Sequence, residues 1–194
     1  VALHSYFARL SDTAALRLVR DAQRDWVERA LTGTAWADLP LLVAASPFKS
    51  GGRGGPQHYT DIPPGPLERR HVTDLYLYPN MIRAVVLSGA ALADWLERSA
   101  AQFSLIRPGA TDQPLFDPDA PAYNFDTIDG VTYEYDLMVP SRYDGSGNLV
   151  DAKASRLRNL RYRGGPVDPA ARFVVVTNNF RAAGGGQFPA LSNA

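Results

Sequence analysis

Residues 172–188 read Arg172-Phe-Val-Val-Val-Thr-Asn-Asn-Phe-Arg-Ala-Ala-Gly-Gly-Gly-Gln-Phe188, an apolar run that breaks abruptly into a polar, glycine-rich segment. Phe173 to Val176 are aromatic or β-branched without interruption, the pattern of a strand covered on both faces. Asn178 and Asn179 end the run. Gly184, Gly185 and Gly186 let the backbone take conformations closed to other residues and could bring its N–H groups close to a ligand. Phe180 stands between the two features, either as a platform for a flat ligand or as a ring packed against its own strand.

A second stretch echoes the first. Leu41-Leu-Val-Ala-Ala45 predicts a short buried strand that again opens into glycines, Ser46-Pro-Phe-Lys-Ser-Gly-Gly-Arg-Gly-Gly55. Val43 to Gly52 aligns with Val175 to Gly185 with one residue inserted, a match short enough to arise by chance.

Around these strands, apolar residues at three- and four-residue steps predict an amphipathic helix from about Asp12 to Thr32, with Leu16, Val19, Trp26, Val27 and Leu31 inward and Arg17, Arg20 and Arg24 largely elsewhere. Ser11 or Asp12 can cap its start and Gly33 its end. A second helix runs from Gly89 to Phe103, capped by Ser88, with Leu92, Trp95 and Leu96 on its inner side. Trp26 and Trp95 both read as core. Four prolines make residues 56–71 a long loop rather than regular structure, and residues 104–122 a second one. Asp74–Asn80 and Met81–Leu87 read as two strand segments split at Pro79. Val131–Leu137 alternates as a half-buried strand, Tyr143–Asn148 is turn chemistry whose calcium-like spacing lacks the closing glutamate, and Leu157–Tyr162 is a further strand. The sum is a mixed α/β (α+β) domain, two long amphipathic helices packed on mixed β-sheet.

A chain of 194 residues with 45% hydrophobic content suits one domain, 1–194. Twenty basic and twenty acidic side chains cancel, so no long-range field favours a nucleic acid polymer or an anionic membrane. No apolar run is long enough to span a bilayer, and the first residues lack the features of a signal peptide. With no cysteine, thiolate metal sites and cysteine nucleophiles are excluded. His4, His58 and His71 have no metal-ligand spacing, and neither a P-loop nor a dinucleotide fingerprint is present. Catalysis by this chain alone is poorly supported and no catalytic residue is assigned. Recognition is better supported: Tyr78 and Phe180 could sandwich a planar ring, Asn80 could read its polar edge, and Arg53 could hold an anionic group. Equally, Tyr78 could be an ordinary strand aromatic, Asn80 a turn residue and Arg53 a solvated charge.

Ser46-Pro-Phe-Lys-Ser-Gly-Gly-Arg53, Asp74-Leu-Tyr-Leu-Tyr-Pro-Asn80, Tyr123-Asn-Phe-Asp-Thr-Ile-Asp-Gly-Val131, Ser141-Arg-Tyr-Asp-Gly145 and Thr177-Asn-Asn-Phe-Arg-Ala182 together resemble the 5'-nucleotidase C-terminal domain family. Within it they are most similar to the C-terminal domain of bacterial periplasmic 2',3'-cyclic-nucleotide 2'-phosphodiesterase/3'-nucleotidases, in order from about Ser5 to Phe188. The resemblance implies a nucleoside- or nucleotide-binding domain whose partner, an N-terminal metallophosphoesterase domain absent from this chain, carries two divalent metal ions and hydrolyses the phosphate ester. It implies a periplasmic or secreted protein, and, since the relatives continue past Phe188, a fragment of a longer one. By position, Tyr78 and Phe180 match the two aromatics that clamp the base, Asn80 the amide at the base edge, and Arg53 an arginine facing the substrate. Phe180 stands where relatives often have tyrosine, so contacts through that hydroxyl are lost. A binding or interaction module of the same fold without nucleotide specificity is the competing expectation. An autonomous hydrolase is a third.

Overall fold

In the computed structural model, which describes residues 1–191, the strands in chain order are β1 (Leu3–His4), β2 (Leu41–Ala45), β3 (Asp61–Ile62), β4 (Ile82–Ser88), β5 (Thr127–Asp129), β6 (Val131–Tyr135), β7 (Leu157–Tyr162), β8 (Gly165–Pro166) and β9 (Arg172–Asn178). The helices are α1 (Ala14–Leu31), α2 (Arg69–Leu75), α3 (Gly89–Ala100) and the single turn α4 (Asn179–Ala182). The main sheet has the order β4-β9-β2-β5, with β9 and β2 parallel at its centre and the two outer strands antiparallel to them.

The unbroken apolar run of β9 follows from helices on both faces of this sheet. Phe173 and Val175 join Leu42, Ala44, Trp95, Leu92 and Leu96 in a core on the α3 side. Val176 and Val43 pack with Val27 of α1 on the other. Side chains still alternate along the strand, but both faces are dry. The second sheet, β6-β7-β8, adds Leu157, Leu160 and Tyr162 to the α3 core. Glu97 anchors it: buried at 3% exposure, its carboxylate accepts from the N–H groups of Arg156 and Leu157 at 3.0 and 2.9 Å and from the Ser155 hydroxyl at 2.5 Å. A buried carboxylate is tolerated when its lone pairs are filled in this way.

The mixed α/β architecture with two long helices on a mixed sheet is as the sequence predicts, and several local expectations are corrected. Trp26 is 52% exposed while Trp95 is fully buried. The buried stripe of α1 runs through Leu16, Gln23 and Val27 and includes Arg20, which takes an inner position although charged. It can do so because its guanidinium pairs with Asp12 and donates to Thr127 Oγ1 at 3.4 Å. Neither Ser11 nor Asp12 caps α1; Thr13 Oγ1 accepts from Leu16 N–H at 3.3 Å. Gly33 does take the left-handed conformation, at φ 77°. The second helix ends at Ala100 rather than Phe103. Residues 56–71 are not all loop, since β3 pairs with β1 and α2 begins at Arg69. Asp74–Asn80 is not a strand: it is the end of α2 and an irregular lead into β4. Here the His71 imidazole accepts from Glu68 N–H at 3.0 Å and so closes the first turn of α2, a helix too short to show a period.

Burial pushes the Tyr133 and Tyr143 phenols up to about 12 from the ordinary 10.0, and the Asp94 carboxylate, which accepts from Tyr143 Oη at 2.7 Å, adds to the second shift. Burial also raises Tyr135, whose hydroxyl donates to Leu96 O at 2.9 Å. These groups ionise more easily in the unfolded chain. Their stabilisation is therefore complete below pH 10.0 and is lost as pH rises through about 12. The expected outcome is a thermal midpoint that falls over that window, together with tyrosinate absorbance from these residues that emerges only with unfolding. A flat midpoint with all tyrosines titrating in the folded state contradicts the burial.

Candidate functional site

At one end of the main sheet the parallel strands β2 and β9 finish, at Ala45 and Asn178, and the antiparallel strands β4 and β5 begin, at Ile82 and Thr127. Segments from four places in the sequence therefore meet there, beyond the carboxyl ends of the parallel pair, where open α/β sheets commonly place ligands. They enclose a cavity of about 430 Å³, within the range of small-molecule sites.

Tyr78, Asn80 and Phe180 all line this cavity. Tyr78 and Phe180 are each 47% exposed. Each is braced at nearly a right angle by a second aromatic. Phe48 stands 5.5 Å from Tyr78 at 79°, and Tyr123 stands 6.4 Å from Phe180 at 85°. Such edge-to-face pairs fix ring orientation. Arg53 is not among the lining residues; it lies in the turn Gly52–Gly54 and donates to the Tyr123 hydroxyl at 3.3 Å. It meets the site through that phenol. A cleft of about 520 Å³ beside α1 is larger, but its Phe103 and Phe125 are 8% and 3% exposed and pack on each other at 5.4 Å, and its partly buried Tyr133 and Tyr135 pair with each other at 5.4 Å.

Phe48, Tyr123 and Arg181 were missed by sequence reasoning. The echo between the two strand-loop segments was the signal for Phe48, since it aligns Phe48 with Phe180. The structure gives that echo a physical form: β2 and β9 are parallel neighbours, with Val43 opposite Val176, and both send a phenylalanine into one cavity. Nothing in local spacing marks Arg181, although it organises the site. Its Nε donates to Asp126 at 2.7 Å, its Nη2 to Tyr123 O at 2.5 Å and its Nη1 to Gly185 O. Asp126 also accepts from Trp95 Nε1 at 2.8 Å and from the Ser46 hydroxyl. Arg181 and Asp126 are 3% and 5% exposed.

The glycines serve this arrangement. Gly184 N–H donates to Arg181 O and Gly185 N–H to Phe180 O, both at 2.9 Å, so these N–H groups close the loop on α4 rather than facing a ligand. A Cβ on Gly186 would overlap Asn124 Oδ1 and the Arg181 guanidinium. Arg98, fully buried, donates to Gly186 O and Gln187 O at 3.0 and 3.1 Å. Burial, reinforced by the nearby Arg181 charge, lowers it to about 10. The arrangement can hold a flat, polar-edged ring. Among the described residues no group of three or more histidines and carboxylates could hold a metal ion.

Comparison with known proteins bears on this geometry. The sequence profile described as 5'-nucleotidase, C-terminal domain, matches residues 3–193. The chain is 45% identical over 192 residues to the "Trifunctional nucleotide phosphoesterase protein YfkN" of Bacillus subtilis, covering 98% of this chain and 13% of that protein. It is 46% identical over 192 residues to a "2',3'-cyclic-nucleotide 2'-phosphodiesterase/3'-nucleotidase" of Haemophilus influenzae, covering 96% of this chain and 29% of that protein. It thus spans less than a third of either relative's length. Among solved structures, a 5'-nucleotidase precursor from Thermus thermophilus superposes on all of this chain and 31% of its own at a TM-score of 0.68 and 21% identity. The NAD nucleotidase of Haemophilus influenzae superposes on 93% of this chain and 26% of its own at 0.60 and 16%. These two likenesses show the fold alone. On the match of its sequence from end to end, the chain belongs to the 5'-nucleotidase C-terminal domain family.

Proposed function

We propose that this chain, 1–194, is the nucleoside-recognition domain of a two-domain, metal-dependent phosphoesterase acting on 2',3'-cyclic nucleotides and 3'-nucleotides, or on 5'-nucleotides. The observation that carries the reading is the cavity with two half-exposed, braced rings and an amide among its lining residues. A base slides between Tyr78 and Phe180, and Asn80, which can donate and accept, meets its edge. Arg53, held against Tyr123, puts a positive charge beside the mouth for a ligand's phosphate. The nucleotide-ester activities for which the relatives are named support the substrate class. In this proposal hydrolysis belongs to an N-terminal metallophosphoesterase domain with two divalent metal ions, in a periplasmic or secreted protein. This chain's residues bind and orient the nucleoside.

Titration of the chain with adenosine, with ribose as control, tests the reading: adenosine binds saturably and ribose does not. Stacking contributes ~1–3 kcal/mol per base, so Phe180→Ala weakens adenosine binding by at least about tenfold in a folded variant; unchanged affinity would sink the base clamp. The ring geometry also depends on the Arg181–Asp126 pair. Asp126→Ala leaves a buried guanidinium uncompensated and is expected to lower the unfolding free energy in urea by ~3–5 kcal/mol, whereas a loss within ~0.5 kcal/mol, the size of an ordinary surface substitution, would show that the pair is dispensable.

A further inference from the structure

The register of β4 and β9 runs from Ser88 opposite Arg172 to Ile82 opposite Asn178. One residue further, at Asn179, the second chain has already turned into α4, and Asn179 O accepts from Ala183 N–H at 3.2 Å. That carbonyl is engaged by the helix rather than by the next rung of the ladder. The Asn179 side chain completes it instead. Asn179 N–H donates to Met81 O at 2.9 Å, and Asn179 Oδ1 accepts from Met81 N–H at 2.8 Å. The side-chain oxygen substitutes for the strand carbonyl in a hydrogen-bonded antiparallel pair.

The neighbours of this rung give it consequence. Met81 directly follows Asn80, and Asn80 N–H donates to Tyr78 O at 2.7 Å, so Met81 carries a tight turn bearing one wall of the cavity and its amide. Asn179 directly precedes Phe180, the other wall. The adjacent Asn178 lines the cavity and caps α4, its Oδ1 accepting from Arg181 N–H at 2.8 Å. We propose that Asn179 is a positioning residue that sets the gap between Tyr78 and Phe180, tying the two halves of the nucleoside clamp together without touching the ligand. This rests on the nucleoside-binding reading above.

Two readouts on the 194-residue chain separate this proposal from that reading. In the ligand-free protein, hydrogen exchange at the Met81 amide is protected; Asn179→Ala speeds it about fivefold, the size of one net hydrogen bond, while Asn179→Asp, which keeps the acceptor oxygen, restores protection. In titration with adenosine, Asn179→Ala weakens binding by a similar factor and Asn179→Asp stays within about twofold of the unaltered chain. The thermal midpoint of each variant confirms folding. Unchanged Met81 exchange in Asn179→Ala overturns the rung, and faster exchange with unchanged adenosine affinity overturns the positioning role. If the unaltered chain binds no adenosine, the nucleoside reading fails and takes the ligand half of this proposal with it, while Met81 exchange still decides whether the rung exists.

Discussion

Arg181 is buried at the junction of α4, the Ala122–Asn124 turn and the glycine loop, and its charge has to be answered there. Taking a guanidinium and a carboxylate out of water costs several kcal/mol per ion unless geometry and further hydrogen bonds offset it. Asp126 supplies the opposite charge at 2.7 Å, and the remaining donors and lone pairs are filled by Tyr123 O, Gly185 O, Trp95 Nε1 and Ser46. Each of these partners sits on a different element. Satisfying one buried pair therefore fixes the ends of β2 and β9, the inner face of α3 and the backbone beneath Tyr123 relative to one another.

The cavity is a by-product of that constraint. Once α4 is held by Arg181 below and capped by Asn178, Phe180 projects over the sheet end with half its surface in solvent. Glycine is required at 185 and 186 because any Cβ there would strike Phe180 or the guanidinium and its partner. The four aromatic rings then form two perpendicular pairs, Phe48 with Tyr78 and Tyr123 with Phe180, and all four line the open space. A rigid pair of apolar walls with a few polar groups between them suits a planar, hydrogen-bonding ligand.

How much of this was legible in sequence depended on whether the cause was local. β2, β4, β6 and β9 were readable because β-branched runs and alternation are properties of neighbouring residues. α3 was readable because Leu92, Trp95 and Leu96 recur at helical steps, although Glu97 and Arg98 are buried beside them. α1 misled at Trp26 because its buried stripe includes Arg20 and Gln23, which no apolar pattern reveals. α2 was missed because seven residues between proline-rich loop and strand leave no room for a period. Tyr78, Asn80 and Phe180 were nameable from motif resemblance, and the structure gathers them around one cavity. Arg181 and Asp126, by contrast, are 55 residues apart, and only the fold could pair them. Arg53 reads in sequence as a ligand-facing charge; the structure places it in the Gly52–Gly54 turn, outside the cavity lining and donating to the Tyr123 hydroxyl at 3.3 Å.

The central claim is that a base occupies the gap between Tyr78 and Phe180, and intermolecular nuclear Overhauser contacts in a complex with adenosine test it most directly. Contacts from the adenine ring protons to the ring protons of both Tyr78 and Phe180 are expected. Contacts confined to another surface, such as the cleft beside α1, would contradict it.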